Sequence, residues 1–298
     1  MRIVFIFLDG LGIGDNDTTI NPCAHPSIRL FNNFITDSFP KKIIFDGAIK
    51  PIDAGLGIDG LPQSATGQTA LFTGKNAAQI AGMHLSGFPN GKLRTLLERH
   101  SILQQIKELG KKAAFINVYR PIFFEKGPEA LLRYLSVTSI ANWKAGLKFY
   151  DFDDLRAERA IYHDFTNQEL LRKGFVVPAF SPEKAGKILA QSSKQFDFCL
   201  YEYFKTDSAG HAQNITSAVN LLVQVERFLF SFFENTDLST TTVILTSDHG
   251  NIEDLSMRTH TKKPVPLMVW GSARDKIISP INSLMDVTPT LLKILKEE

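Results

Sequence analysis

The fold of this chain is indicated most clearly by one stretch of its sequence, Thr242-Val243-Ile244-Leu245-Thr246-Ser247-Asp248-His249-Gly250-Asn251. Its first half is apolar and β-branched, which predicts a buried strand, and its second half places a carboxylate beside an imidazole. Such a polar end is unusual for a buried strand unless the strand leads into a site, as the carboxyl ends of parallel strands do in α/β proteins. The stretch therefore predicts an α/β fold with a site at the end of this strand.

Other apolar runs of the chain end in, or are followed by, the same residue types. A single Asp or His at such a position is more often a helix cap or a surface residue, but chance rarely collects three of each. Carboxylates and imidazoles are also the groups that bind divalent cations. The candidate metal ligands are Asp9 after Ile3–Leu8, Asp207 and His211 after Phe196–Phe204, Asp248 and His249 after Thr242–Thr246, and His260 in Thr259-His260-Thr261.

The spacing of these residues indicates how they group around ions. Asp207 and His211 lie one helical turn apart and are able to face one ion, with His260 completing the set. Asp248 and His249 are adjacent, and adjacent side chains on extended backbone point to opposite sides. These two residues therefore need not serve one ion in equivalent ways.

Ser64 is the candidate nucleophile. Pro62 precedes it in a turn, and the residues after it read as the first turn of a helix. Free N–H groups and a partial positive charge at a helix N-terminus suit a phosphate, and a bound cation activates a hydroxyl. The alternative is a plain N-cap serine.

Short β-rich runs alternate with amphipathic stretches, which predicts a three-layer, doubly wound α/β fold with a mostly parallel sheet. Ser101 and Ser181 are predicted N-caps, and Gly110 a helix end. The predicted strands are 3–8, 42–45, 113–118, 196–204, 242–246 and 266–270. The predicted helices are 66–78, 101–109, 183–191, 217–233 and 288–296.

The segment 121–178 interrupts this alternation and is rich in aromatic and charged residues. It is predicted to be a small cap inserted into a core of residues 1–120 and 179–298, at the carboxyl ends of the strands. The alternative is an irregular part of the main core. Arg133, Arg156 and Arg159 of the segment, together with Lys205, are candidates for phosphate or carboxylate contacts, against the alternative of solvated surface residues.

Composition restricts the class of partner. A net charge of +2 over 298 residues gives no field that favours nucleic acid, and no apolar run reaches the about 20 residues of a membrane span. Cys23 and Cys199 form no metal-binding pair, which fits a reducing compartment and predicts a cytoplasmic protein. The glycines between Gly10 and Gly14 do not have dinucleotide-binding spacing, and they are expected to let the backbone turn tightly beside the ions.

The motifs together resemble the alkaline phosphatase superfamily, and within it the cofactor-independent phosphoglycerate mutases and phosphopentomutases. The resemblance spans residues 9 to 290 and departs from the family in two places. Gln68 stands where those mutases usually carry histidine, and the segment 121–178 is far shorter than the domain inserted in bacterial phosphoglycerate mutases. The motifs that carry it are Asp9-Gly10-Leu11-Gly12, Gln63-Ser64-Ala65-Thr66-Gly67, Asp207-Ser208-Ala209-Gly210-His211, Thr246–Glu253, Thr259-His260-Thr261 and Asp286-Val287-Thr288-Pro289.

The resemblance implies an alkaline phosphatase-like fold and two divalent ions, Mn²⁺ or Zn²⁺ with Mg²⁺ as a further candidate. It implies one ion held by Asp207, His211 and His260. The second would be held by Asp9, Asp248, His249 and Ser64, with Ser64 becoming phosphorylated, and Gln68 is counted among the substrate contacts.

The function expected from these residues is a two-metal phosphotransferase that acts on a small phosphorylated metabolite through phosphoserine, in the manner of a phosphomutase. The alternatives are a metal-dependent phosphatase or phosphodiesterase of the same superfamily and a non-catalytic metal-binding protein. The complete set of ligands and the intact nucleophile favour an enzyme.

Overall fold

A six-stranded sheet forms the centre of the computed structural model, which describes residues 1–33, 35 and 42–297. The apolar runs of the sequence form these strands because their side chains are buried on both faces. The strands are β1 (Arg2–Leu8), β2 (Ala48–Ile52), β3 (Ala113–Phe115), β4 (Phe198–Tyr203), β5 (Thr241–Thr246) and β6 (Val265–Trp270).

The strand order is β2-β6-β5-β1-β4-β3. Strands β5, β1, β4 and β3 are parallel, whereas β6 runs antiparallel to both β5 and β2. The register aligns the carboxyl ends of the central strands, since Leu8 pairs with Tyr203 and Phe7 pairs with Thr246. The predicted α/β fold with a mostly parallel sheet is confirmed.

The sheet separates two hydrophobic clusters. Alternate residues of β1 enter opposite clusters: Val4 and Ile6 belong to one, and Phe5 and Phe7 to the other. Helices pack over each cluster, so the molecule has the three layers that the sequence predicted.

Thirteen helices are present among the described residues, and several begin at the predicted caps. Ser101 and Ser181 each accept a backbone N–H as N-caps, and Gly110 adopts a positive φ after a helix. The helices are α1 (Ser64–Thr73), α2 (Ala77–Ala81), α3 (Gly91–His100), α4 (Ile102–Glu108), α5 (Pro121–Ala130), α6 (Val137–Lys144), α7 (Phe152–Arg156), α8 (Gln168–Arg172), α9 (Pro182–Ser193), α10 (Lys205–Ala212), α11 (Ile215–Glu234), α12 (Arg274–Ile278) and α13 (Leu284–Glu297).

Two of the predicted elements are wrong. Residues 42–45 form no strand, because Phe45 packs against Phe233 of α11 and adopts a positive φ within a 3-10 turn. The strand begins at Ala48 and contains Pro51, which β2 tolerates as the edge strand of the sheet. The predicted helix 66–78 is two helices, since Gly74 ends α1 with a positive φ.

The segment 121–178 contains α5 to α8 and no strand. Its apolar side chains enter both core clusters: Ile140 lies in the cluster that contains Phe5, and Leu155 in the one that contains Val4. Helix α6 packs against α3 and α4. This packing favours the alternative of an integral part of the core, and the division into a core and a cap stays a prediction.

Among the described helices, none combines the length and apolar character that crossing a membrane requires. Cys23 and Cys199 are both free and buried. The cytoplasmic location stays a prediction.

Candidate metal centre

The aligned strand ends bring all six predicted ligands into one cluster. Asp9 follows β1, Asp207 lies in the first turn of α10 after β4, and Asp248 and His249 follow β5. His260 comes from the loop between β5 and β6 and pairs with Asp207, their Nε2 and Oδ1 atoms being 3.4 Å apart. The sequence separations are large, so this site exists only because the strands share one register.

Asp9, Asp248 and His249 form the first of two groups whose ligand atoms lie within 4.8 Å of one another. The Nε2 atom of His249 lies 3.3 Å from Oδ1 of Asp9 and 3.5 Å from Oδ2 of Asp248. Although Asp248 and His249 are adjacent, both side chains reach the same group. On extended backbone these adjacent side chains would point to opposite sides, so the sequence left open whether they serve one ion in equivalent ways. The backbone bends after β5, and this bend lets both side chains face the same group.

Asp207, His211 and His260 form the second group. The Nε2 atom of His211 lies 3.3 Å from Oδ2 of Asp207, one helical turn away on α10. The imidazole rings of His260 and His249 are stacked with centroids 3.7 Å apart, so the two groups are contiguous. The arrangement has the composition of two adjacent cation sites.

Backbone carbonyls orient the three imidazoles. Nδ1 of His211 lies 2.7 Å from the carbonyl oxygen of Arg258, and Nδ1 of His260 lies 2.9 Å from that of Pro62. Nδ1 of His249 lies 3.4 Å from the carbonyl oxygen of Gly250. Metal-binding histidines commonly donate one ring N–H in this way, which leaves Nε2 free to coordinate a metal.

The charges in the cluster fit a divalent cation. Burial, followed by the charge of Asp207, raises the pKa of Asp9 to about 8. Burial, followed by the charge of Asp9, raises the pKa of Asp248 to about 7. Burial opposes the ionisation of Asp207 as well, but a hydrogen bond from His260 and the charge of His249 bring its pKa to about 2. Within the described part of the chain Oδ1 of Asp9 is buried without a hydrogen bond, and a cation would satisfy it.

Ser64 lies against the first group. It is the first residue of α1, whose N-cap is Gln63, so the alternative of a plain N-cap serine is wrong. Its Oγ lies 3.0 Å from Nε2 of His249. This position places the hydroxyl both at the helix N-terminus and beside the acidic group, as nucleophilic attack on a phosphate requires.

Two amide side chains hold the carboxylates in place. Nε2 of Gln68 donates to Oδ2 of Asp9 at 3.3 Å and to Oδ2 of Asp248 at 3.1 Å. Nδ2 of Asn251 donates to Oδ1 of Asp207 at 2.6 Å. Gln68, counted from the sequence among substrate contacts, also lines the adjoining cavity. Its two hydrogen bonds fix the relative positions of two candidate ligands.

The glycines after β1 allow close approach to the site, as the sequence predicted. Gly10 has a φ of +68°, and a Cβ there would lie 2.7 Å from Oδ1 of Asp207. A Cβ at Gly12 would overlap the carboxyl group of Glu253. That buried carboxylate accepts the N–H of Gly12 at 2.8 Å and also bonds the hydroxyl of Thr261, next to His260. Sequence reasoning missed this role of Glu253, although the residue lies in the motif 246–253.

A cavity of about 480 Å³ opens next to Ser64 and Asp9. Sequence reasoning missed most of the polar residues of its wall, among them Arg120 after β3, Tyr119 beside it, and Glu202 within β4. Glu202 is completely buried, and one of its carboxylate oxygens bonds Thr138. A signal was present in the sequence, since Glu202 is the only charged residue of an apolar strand and Arg120 follows a strand end.

The basic residues predicted as substrate contacts lie elsewhere. Arg156 pairs with Asp153 at 2.8 Å, Arg159 with Asp154 at 2.8 Å, and Lys205 with Asp164 at 3.4 Å. Arg133 is exposed. None of these four residues lines the cavity beside Ser64 in the part of the chain described. Three of them have acidic partners nearby along the chain or in space, which a count of basic residues could not reveal.

Comparisons with known proteins identify relatives of this sequence and this fold. A family model described as the metalloenzyme superfamily matches residues 178–298. The 2,3-bisphosphoglycerate-independent phosphoglycerate mutase of Pyrococcus abyssi is 23% identical over 239 residues, which is 74% of this chain and 57% of that protein. The enzyme of that name from Wolinella succinogenes is 33% identical over 121 residues, 39% of this chain and 24% of that protein. The matches thus span about a quarter to somewhat over half of these relatives.

Solved structures resemble the whole chain. The alkaline phosphatase of the Antarctic bacterium TAB5 aligns with 100% of this chain and 98% of its own, with a TM-score of 0.58 and 14% identity. The PH0037 protein of Pyrococcus horikoshii gives the same coverage and TM-score with 12% identity. At these identities the likeness concerns the fold.

The fold is of the alkaline phosphatase-like α/β class, and its site contains two groups of candidate metal ligands. The chain is similar to the metalloenzyme superfamily over residues 178–298 and to 2,3-bisphosphoglycerate-independent phosphoglycerate mutases over part of its length.

Proposed function

We propose that this protein is a phosphotransferase that acts on a phosphomonoester through a phosphoserine at Ser64. The observation that carries the proposal is the position of the Ser64 hydroxyl, 3.0 Å from His249 within two contiguous groups of candidate ligands and at the wall of a 480 Å³ cavity. A serine at the N-terminus of α1 and beside three carboxylates serves phosphoryl transfer better than acyl transfer, which needs no such acidic cluster.

Two divalent ions fit the site, with Asp207, His211 and His260 as ligands of one and Asp9, Asp248, His249 and Ser64 as ligands of the other. Mixed carboxylate and imidazole ligands suit Mn²⁺ or Zn²⁺, and Mg²⁺ is a further candidate. When bound, such ions stabilise the negative charge that develops on the attacking and leaving oxygens.

The residues of the chain provide the positions for two transfers. In the first, a bond forms between Oγ of Ser64 and phosphorus, the ester O–P bond breaks, and the alcohol leaves with the proton that Ser64 loses. In the second, water or another hydroxyl takes the phosphoryl group and returns a proton to Ser64. Gln68 keeps Asp9 and Asp248 in fixed positions throughout, and the partial positive charge at the N-terminus of α1 favours a phosphoryl group at Ser64.

Hydrolysis is the second candidate fate of the phosphoserine, in place of a mutase reaction. Arg120 is the only lysine or arginine that lines the cavity in the described part of the chain. His163, which also lines it, is neutral at pH 7, because burial lowers its pKa to about 4. A phosphoglycerate carries a carboxylate besides its phosphate, and Arg120 is the one cationic side chain of the described lining that could pair with that carboxylate. The proposed substrate is a small phosphorylated metabolite.

The proposed location is the cytoplasm, with which the two free, buried thiols are consistent.

Turnover of the metal-loaded protein tests the proposal. Phosphate release and formation of isomerised ester are measured with a panel of phosphomonoesters for the wild type, Ser64→Ala, Asp207→Asn and the control Ser279→Ala, which alters an exposed serine. We expect turnover in the wild type and control, and a loss of at least a thousandfold in the other two. Turnover retained in Ser64→Ala would contradict the proposal. Loss of folding in Asp207→Asn, with no turnover in the wild type, would favour a structural metal site.

A further inference from the structure

The cavity beside Ser64 has a wall of aromatic side chains. Tyr119 and Phe123 lie with ring centroids 4.4 Å apart, and Phe115 meets Tyr119 edge-on at 6.4 Å. Tyr162 and Phe204 also line this space. Aromatic side chains present large apolar surfaces that favour flat apolar groups, and pockets lined by them commonly bind ligands with such groups.

Three of the exposed apolar side chains of the protein stand at the mouth of the same cavity. Phe88 is 50% exposed, Tyr134 is 71% exposed and Ile122 is 41% exposed, and all three line the cavity. Phe88 comes from the loop between α2 and α3, whereas Tyr134 comes from the turn after α5, yet their rings meet edge-on at 6.3 Å. Exposed aromatic residues that converge from separate segments mark a place where an apolar group binds.

The charges of the cavity complement a substrate with one anionic end. Asp9 and Glu202 are acidic, and Arg120 is the one lysine or arginine of the lining among the described residues. The guanidinium of Arg120 has no ion pair with any described residue, so it is available to an anion. A second anionic group on the substrate, such as a carboxylate, would find no second lysine or arginine among the described residues of the lining.

We propose that the substrate is a phosphomonoester whose alcohol carries an uncharged aromatic ring, with the ring packed against Tyr119 and Phe123 and covered by Phe88 and Tyr134. This inference rests on the proposed function, because it assumes that the phosphate lies at Ser64. A nucleoside 5′-phosphate and a phenolic phosphate share this chemistry, and the cavity volume accommodates either. Phosphoglycerates, which lack the ring and add a carboxylate, are excluded from this class.

Binding of phosphonates, which cannot transfer their phosphoryl group, tests the ring pocket separately from catalysis. The Kd values of phenylphosphonate, methylphosphonate and phosphonoacetate are measured by calorimetry with the metal-loaded protein. We expect phenylphosphonate to bind at least about tenfold more tightly than the other two. Equal affinities, tighter binding of phosphonoacetate, or no binding of phenylphosphonate would overturn the inference.

Variants at the mouth localise the effect. Phe88→Ala and Tyr134→Ala should each remove most of the preference for phenylphosphonate and leave the Kd of methylphosphonate unchanged. Phe124→Ala is the matched control, because Phe124 is 45% exposed, lies next to Phe123 and does not line the cavity. A preference that persists in both mouth variants would place the ring elsewhere and contradict the proposal.

Turnover separates the two sources of the ring and separates this inference from the proposed function. Values of kcat/KM for adenosine 5′-phosphate, phenyl phosphate and glycerol 2-phosphate are compared. A higher value for adenosine 5′-phosphate than for glycerol 2-phosphate supports the inference with a nucleoside as the source, because both are alkyl esters. A higher value for phenyl phosphate, which has the better leaving group, supports a phenolic source only where Phe88→Ala and Tyr134→Ala abolish it. A preference for the ring in binding without any turnover would refute the proposed function and keep the pocket. Turnover with no preference for the ring would refute the ring pocket and support the proposed function.

Discussion

At the scale of single residues, hydrogen bonds to the candidate ligands hold the metal centre in place. His211 and His260 each direct Nδ1 to a backbone carbonyl, and Asn251 donates to Asp207. Gln68 links two carboxylates that would otherwise repel each other. The site is therefore arranged in the protein itself, which lowers the free energy that ordering the ligands costs when ions bind.

Replacing Gln68 with leucine tests this arrangement. Because the variant loses the amide that holds Asp9 and Asp248, we expect the affinity for Mn²⁺ or Zn²⁺ to fall by about tenfold or more. Gln79→Leu is the control, since Gln79 is exposed on α2 and remote in sequence from the ligands. Calorimetric titration of each variant with metal measures the change. Equal affinities in the two variants would contradict a role for Gln68 in the site.

The raised pKa values of Asp9 and Asp248 predict how pH affects the metal-free protein. Both carboxyls titrate near neutrality in the folded state, at about 8 and about 7, and near 3.8 when unfolded. The folded state therefore holds more protons, and the free energy of unfolding should fall as pH rises from 6.5 to 8. Added Mn²⁺ should reverse the fall, since it binds the ionised carboxylates.

Urea denaturation in the presence of a chelator measures this dependence. Asp9→Asn serves as the comparison, because the amide cannot titrate and the slope against pH should decrease. His163 contributes a smaller slope of the opposite sign near pH 6.5, because burial lowers its pKa to about 4 in the folded state while its unfolded imidazole still binds protons. Asp9→Asn shares that contribution, so the difference in slope between the two proteins reports Asp9. A free energy of unfolding that rises with pH in the wild type would refute the assigned shifts.

At the scale of elements, the site depends on the close contact between α1 and the loop that follows β5. Gly67 lies on α1, and a Cβ there would come within 2.7 Å of the carbonyl oxygen of Asp248. Glycine is unfavourable inside a helix by about 1 kcal/mol relative to alanine, so its use here has a steric reason. The contact sets the distance between Ser64 and the ligands after β5.

Gly67→Ala should destabilise the protein by about 1–3 kcal/mol, because the new methyl group overlaps backbone that cannot move without displacing Asp248. Gly91→Ala is the matched control, since Gly91 also lies in a helix and a Cβ there meets nothing within 4 Å. That variant should match the wild type or gain up to about 1 kcal/mol. Chemical denaturation gives both values, and a stable Gly67→Ala protein with normal metal affinity would contradict the steric argument.

The strands and the ligands were predictable from sequence for the same reason. A buried strand leaves an apolar run, and a polar residue directly after it is conspicuous, as Asp9 and Asp248 are. The pairing of Phe45 with α11 was not predictable, because an apolar run that covers a helix looks like a strand. The strand at Ala48 was hidden by Pro51, which an edge strand accepts.

At the scale of the whole molecule, the ligands come from the two ends of the chain, so ions would join segments distant in sequence. Metal that binds only the folded state should raise the free energy of unfolding by about 2.7 kcal/mol when the free metal concentration is about a hundred times Kd. Thermal unfolding with Mn²⁺ and with a chelator measures the shift in Tm. Asp207→Asn should reduce it, and a wild-type Tm that does not respond to metal would contradict the two-ion site.

The cavity and the partners of the basic residues needed the structure. Arg156, Arg159 and Lys205 carry the charge that binds phosphate, but each has a carboxylate partner that only the fold identifies. Arg120 and the aromatic wall come from segments that meet through packing of the stretch 121–178 on the core. Long-range packing of this kind leaves no local pattern in the sequence, whereas the metal ligands lie in short motifs that can be read directly from it.

The most direct test of the account is the mass of the metal-loaded protein after brief incubation with an aromatic phosphomonoester and acid quenching, followed by peptide mapping. We expect a gain of one phosphoryl group on the peptide that contains Ser64, absent in Ser64→Ala and present in Ser279→Ala. A turnover-competent protein that carries the phosphoryl group on another residue, or that shows none even when quenched within a single turnover, would contradict it.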